Sequence, residues 1–202
     1  MKTFRIYAVV LCALAVSACS QGLFAGTNSL SSKGSVCGSN QLEGRSVSEI
    51  EAPNQAYGIK HPVEITSVAG VHLSQPATLN CATALTLATY VTEVAKPVIG
   101  NAGGGLSGLE VAASYVYRTR NNQSGARMSE HALGNAIDIS AFVLADGKEF
   151  VVEEDWGLAV MKELHDDACG PFGTVLGPDS DRFHYNHFHF DTAAYRSGDY
   201  CR

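Results

Sequence analysis

Ser129-Glu130-His131-Ala132-Leu133-Gly134-Asn135-Ala136-Ile137-Asp138 and His184-Tyr185-Asn186-His187-Phe188-His189-Phe190-Asp191 are the two stretches the rest of the chain must accommodate. The first places an imidazole and a carboxylate on either side of a Gly-bearing bend. The second packs three of the chain's seven histidines and a carboxylate into eight residues. Side chains alternate along a strand, so His187, His189 and Asp191 share one face while Phe188 and Phe190 share the other. The phenylalanine face suits a core, and the histidine face then looks into a cleft. Asp138 lies in an apolar run, Ala136-Ile137-Asp138-Ile139, where an unpaired carboxylate is costly. Two imidazoles and one carboxylate with an open fourth position form the donor set of a catalytic zinc site. Structural zinc sites are closed by four protein ligands, often Cys.

The cysteines have another explanation. Of six, Cys12 falls in the leader and Cys19 at its end, which leaves Cys37, Cys81, Cys169 and Cys201. An even number in an exported chain reads as two disulfides. Three pairings are open to the sequence. We take 37–81 and 169–201 as the expectation, because that pairing ties the N-terminal extension and the extreme C-terminus to the body. There is no C-x-x-C spacing, which argues against a zinc knuckle or a thioredoxin-like role.

The leader is a targeting segment rather than part of the fold. Lys2 and Arg5 precede an apolar run over 6–16 that is too short for a permanent membrane span. It ends in Val16-Ser17-Ala18-Cys19, which resembles a bacterial lipobox. That resemblance implies a signal peptide over 1–18, cleavage before Cys19, and lipid on Cys19. Ordinary signal-peptidase cleavage after Ala18 is the alternative. Ser20, where an Asp would hold such lipoproteins at the inner membrane, favours the outer membrane. The Ser/Gly/Asn-rich residues 19–36 read as a flexible tether with a reach of roughly 20–25 Å. The expected address is the cell envelope, lipid-anchored at the outer membrane and facing the periplasm.

The remainder, 37–202, suits one ordinary globular domain: the chain is 46% hydrophobic and 17% charged. A net charge of −6 offers no basic face and argues against nucleic acid as a partner. Residues 37–76 read as loops and short strands, including Val63-Glu64-Ile65 and Val71-His72-Leu73, with His72 a surface or packing residue. Apolar residues from Ala77 to Ile99 recur at three and four, which predicts a helix that Pro97 ends or kinks. The Gly103-Gly104-Gly105 run is a loop with no phosphate-binding spacing. Residues 109–117 predict a strand, as do 136–144, and Asp146-Gly147 is a hairpin signal before 149–152. Glu153, Glu154 and Asp155 open a helix reaching about Ala168 with Trp156 in the core. A strand over 172–176 and the second motif close the chain.

The signature Ser129-x-His131-x-x-Gly134-x-Ala136-x-Asp138 followed by His187-x-His189 resembles that of zinc D-Ala-D-Ala carboxypeptidases and their lysostaphin and hedgehog relatives. Its wider context is Ala112-Ala113-Ser114-Tyr115, Arg118-Thr119-Arg120-Asn121 and the 176–189 stretch. In that context it is similar to the bacterial extensin-like C-terminal domain family, over about 37–202. The resemblance implies an α+β fold: a small, mainly antiparallel sheet with flanking helices and one zinc ion in a cleft above the strands. It implies His131, Asp138 and His189 as metal ligands, with His184 or His187 as the catalytic base. The Glu that serves the dipeptidase branch is replaced by Asn186. Arg118, with Arg120 as its rival, matches the Arg that contacts the scissile carbonyl, and Ser129 orients His131 or binds substrate. Asp191 is placed to anchor an imidazole. Glu130 lacks a second His at the spacing of His-Glu-x-x-His proteases and reads as a surface residue. Arg127 and Arg182 read as surface or cleft charges. The implied activity is zinc-dependent hydrolysis of peptidoglycan peptides, as a carboxypeptidase or endopeptidase. A non-catalytic zinc-bearing envelope module that binds peptidoglycan or protein is the alternative. Six Pro and no Ser-Pro-rich repeat argue against a plant-type structural extensin.

Overall fold

The computed structural model describes residues 36–194 and 198–202. The expected signal peptide, Cys19 and all of the tether but its last residue lie outside the described residues. Among them, no helix is long and apolar enough to cross a membrane.

The chain is mixed α and β, with few helices and one large, mostly antiparallel sheet. Its strands are β1 (Leu42–Ser46), β4 (Val63–Val68), β5 (Val71–Leu79), β6 (Leu106–Ala113), β7 (Ala136–Leu144), β8 (Glu149–Val151), β9 (Thr174–Leu176), β10 (Phe188–Asp191) and β11 (Tyr200–Cys201). The order is β1-β4-β5-β6-β7-β10-β9-β11, with β8 also on β7. Only β5/β6 and β9/β11 pair in parallel. A separate hairpin joins β2 (Ile50–Glu51) to β3 (Gly58–Ile59). The small sheet expected from the sequence is therefore a nine-stranded one. The 37–76 segment supplies whole strands to it, because its short apolar runs pair with one another and join the rest of the sheet through β5 and β6.

Four α-helices accompany the sheet among the described residues: α1 (Cys81–Tyr90), α2 (Lys96–Ile99), α3 (Val152–Asp155) and α4 (Ala159–Asp166). The helix expected from Ala77 starts later, since 77–79 complete β5. Asn80 marks the boundary: its side chain accepts the Thr83 N–H at 2.9 Å and caps α1. Pro97, which has no N–H to give the preceding turn, follows a π turn over Val91–Ala95. The expected 153–168 helix is divided into α3 and α4 by Trp156-Gly157-Leu158. Trp156 packs its half-buried ring on Phe188, with Lys162 Nζ 3.3 Å above it. His72 is exposed on β5.

The two sheet faces part company at β7 and β10. Ile137, Ile139, Phe188 and Phe190 are fully buried. Phe190 meets Tyr90 of α1, whose hydroxyl donates to the Leu164 carbonyl of α4 at 2.9 Å. The helices thus cover the core face, and the other face is left to form a cleft. Two disulfides, Cys37–Cys81 and Cys169–Cys201, tie both ends of the domain to that frame.

Candidate metal centre

Register brings the first two polar residues together. His189 of β10 stands directly opposite Asp138 of β7, so the two side chains leave the sheet on the same face. Asp191 lies two residues on, and Thr174 and Leu176 of β9 pair with Asp191 and His189, which continues that face as the floor of a cavity of about 510 Å³. His131 arrives from outside the sheet on a single 3-10 turn, Glu130–Leu133. Gly134 ends that turn at φ 67°, and a Cβ there would collide with Ile59 and stand 2.9 Å from the Asn80 nitrogen. The bend is pinned to the α1 cap: Asn80 N–H donates to the Gly134 carbonyl at 3.0 Å, and Asn80 Nδ2 donates to Asn135 Oδ1 at 2.5 Å.

His131, Asp138 and His189 are all buried and form a group able to hold a metal ion. Asp138 Oδ1 lies 2.8 Å from His189 Nδ1 and 3.2 Å from His131 Nε2, and the two imidazole nitrogens are 3.2 Å apart. The outer nitrogens decide what these atoms offer. His131 Nδ1 faces the Ser114 carbonyl at 2.5 Å, which can only accept, so the proton sits there and Nε2 presents a lone pair. His189 Nε2 faces Asp191 Oδ2 at 3.2 Å and is likewise the protonated nitrogen. Two lone pairs and a carboxylate oxygen therefore converge. A metal ion would satisfy all three, and a proton taken up by His189 would join its ring to Asp138. Tetrahedral ligands on bonds of 2.0–2.1 Å are about 3.3 Å apart, close to the spacing seen here.

The charges follow this geometry. Burial pushes Asp138 up, but the His131 and His189 imidazoles set against it hold it well below the usual carboxylate range. Burial pushes His189 down, yet hydrogen bonds to Asp138 and Asp191 raise it to about 9. Burial lowers His184, against the pull of Asp181, and lowers His187, against the pull of Asp138. Those two imidazoles are held neutral beside the charged group. His184 Nδ1 donates to Asp181 Oδ1 at 2.8 Å, and His187 Nδ1 donates to Asn186 Oδ1 at 2.9 Å. His187 Nε2 is 3.7 Å from Asp138 Oδ2.

Arg118, Arg120 and Ser129 line the same cavity. Arg120 Nη2 stands 3.6 Å from Glu130 Oε1, and Glu130 Oε2 accepts from Asn135 at 2.9 Å. Glu130 is therefore a half-buried brace between the cavity wall and the bend, not the surface residue its spacing suggested. Arg127 and Arg182 are exposed and outside the lining. His187 precedes β10 rather than lying in it, since the strand begins at Phe188. The sequence reading passed over Asp181, the Ser114 carbonyl and Asn80. Asp181, three residues before His184 in a turn, carried a local signal; a backbone carbonyl carries none.

The family model described as "Extensin-like protein C-terminus" matches residues 35–202. No curated protein and no solved structure matches the chain.

Proposed function

The chain belongs to the extensin-like protein C-terminus family, and from that premise and the cleft geometry we propose a zinc metallopeptidase of cell-wall peptidoglycan. The observation that supports this most directly is the convergence of three acceptor atoms, His131 Nε2, Asp138 Oδ1 and His189 Nδ1, beside two neutral imidazoles in one cavity. The resemblance to zinc D-Ala-D-Ala carboxypeptidases and lysostaphin-type enzymes belongs to this reading, as do export, lipidation at Cys19 and an outer-membrane position facing the periplasm.

A divalent cation held by His131, Asp138 and His189 would supply Lewis-acid polarisation of an amide carbonyl and would lower the pKa of a nearby water toward about 7. The chain's own residues do the remainder. A neutral imidazole, His184 or His187, takes the proton of the attacking water at its free nitrogen as the water oxygen bonds to the carbonyl carbon. Arg118, on the cavity wall, faces the developing oxyanion. The same imidazolium then returns its proton to the amine nitrogen as the C–N bond breaks. Ser129 and Arg120 contact the peptide on the Glu130 side of the cavity.

The test is incubation of the purified, disulfide-bonded protein with zinc and isolated peptidoglycan, and mass spectrometry of the muropeptides. Conversion of cross-linked dimers to monomers marks an endopeptidase, and release of D-Ala alone marks a carboxypeptidase. Both must stop on chelation. An unchanged polymer from a zinc-loaded, folded sample overturns the enzyme reading in favour of a zinc-bearing binding module.

A further inference from the structure

The two imidazoles beside the metal ligands differ in what holds their second nitrogen. His184 Nδ1 donates to a carboxylate, Asp181 Oδ1, at 2.8 Å, whereas His187 Nδ1 donates to a neutral amide oxygen, Asn186 Oδ1, at 2.9 Å. Asp181 is itself fixed: the same Oδ1 accepts the Phe183 N–H at 2.7 Å, and the Asp181 carbonyl accepts the His184 N–H at 3.3 Å. An aspartate that bonds the backbone two residues on forms a closed turn, so the carboxylate and the ring move as one unit. The His184 side chain is only 10% exposed, which leaves its ring little room to rotate. His187, also on the cavity lining, has its other nitrogen 3.7 Å from Oδ2 of Asp138, one of the three candidate ligands.

We infer that Asp181 is the positioning residue that fixes His184 in its Nδ1–H tautomer, leaving Nε2 bare, and thereby selects His184 over His187 as the proton acceptor. The tautomer stands on the hydrogen bonds alone; the role of His184 rests on the metallopeptidase reading. In the reaction, the water proton passes to His184 Nε2 as the oxygen–carbon bond forms, and from Nε2 to the leaving amine nitrogen as the carbon–nitrogen bond breaks. The Nδ1 proton stays between the ring and Asp181 throughout, and the ionised Asp181 stabilises the transient imidazolium as a charged acceptor does and an amide does not.

The test reads the tautomer and the chemistry separately. Long-range ¹H–¹⁵N correlation spectra of the zinc-loaded protein, labelled in its imidazole nitrogens, report the state of each ring. We expect His184 as the Nδ1–H form in the unaltered protein and in Asp181→Glu. In Asp181→Ala we expect the Nδ1–H form to give way to Nε2–H, because Nδ1 has lost its carboxylate acceptor. Zinc content stays at one per chain in all three, and muropeptide release falls by about 10²-fold or more in Asp181→Ala with recovery in Asp181→Glu. An Nε2–H tautomer in the unaltered protein, or a tautomer unmoved in Asp181→Ala, overturns the assignment, and the first needs no variant to fold. Should the tautomer shift as stated while the unaltered protein releases nothing, the positioning role stands and the peptidase reading fails.

Discussion

The backbone carbonyl of Ser114 accepts the Nδ1–H of His131 at 2.5 Å, so this imidazole is oriented by the main chain just beyond β6 and not by a side chain. Asp191 does the corresponding work for His189 through its carboxylate. The two orienting contacts therefore respond differently to mutation. Ser114→Ala keeps the carbonyl and loses only the hydroxyl that accepts the Thr78 N–H at 3.1 Å. It should retain full metal content with a stability loss of about 1 kcal/mol. Asp191→Ala should weaken metal binding by roughly 10–100-fold. Competition with a chromogenic chelator measures both.

Direct removal of a donor has a larger effect. Asp138→Ala and His131→Ala each leave two donors, and bound metal by elemental analysis should fall from one per chain to near none. Equal metal content in either variant with the unaltered protein would show that these buried residues do not hold the ion.

Metal uptake should depend on pH through His189. With its pKa at about 9, the ring carries a proton at neutral pH that the cation must displace. Affinity should therefore rise about tenfold per pH unit from 6.5 to 8.5, with about one proton released per ion in calorimetry across buffers of different ionisation enthalpy. The metal-free protein shows the opposite trend. A folded pKa above the unfolded value confers stability that is complete below about 6.5 and lost as pH rises through about 9. Its melting temperature should fall over that window, while the metal-loaded protein holds level.

His187→Ala and His184→Ala should both keep the metal, since neither is among the three ligands. Loss of His184 should cost muropeptide release by about 10²–10⁴-fold. Loss of His187 should cost less, because its free nitrogen faces Asp138. A larger loss for His187 would reverse the order of the two roles.

Gly134→Ala tests the bend. The residue sits at φ 67° against Ile59 and Asn80, so the methyl group must displace the hairpin or the helix cap. We expect a stability loss of about 1–3 kcal/mol in urea unfolding, accompanied by weaker metal binding. An isolated stability loss with unaltered metal affinity would mean that the bend does not set the position of His131.

Much of this was legible in the chain before its fold was known, and the reason is local spacing. The alternation over 187–191 places His189 and Asp191 on one face, and the apolar run around Asp138 marks it as a paired carboxylate; both are short-range properties. The strand over 136–144 was likewise readable from its own residues. The nine-stranded extent of the sheet was not. Val63–Val68 pairs with Val71–Leu79 nearby but with Leu42–Ser46 across a long loop, and such pairing leaves no periodic mark. The start of α1 was misplaced because Ala77 and Leu79 continue the apolar spacing of the helix backwards into a strand; only Asn80, a capping residue, carries the boundary. Arg118 and Arg120 were placed at the cavity by resemblance, whereas the Arg120–Glu130–Asn135–Asn80 chain of contacts depends on tertiary structure.

The late position of β10 in the chain and its central position in the sheet have a consequence for biogenesis. β9 is held on one side by β10 and on the other only by the two-residue β11, and β10 itself must slot between β7 and β9. His131 and Asp138 are already in the chain when that strand arrives, yet the third ligand joins them only on its docking. A polypeptide is delivered from its N-terminus onward, so capture of an ion by all three donors would wait for nearly the whole domain to emerge and zip together. A bound metal would then mark a finished molecule, and a chain cut short before residue 188 would be left with two of the three donors and an open sheet edge, a ready substrate for proteolytic clearance.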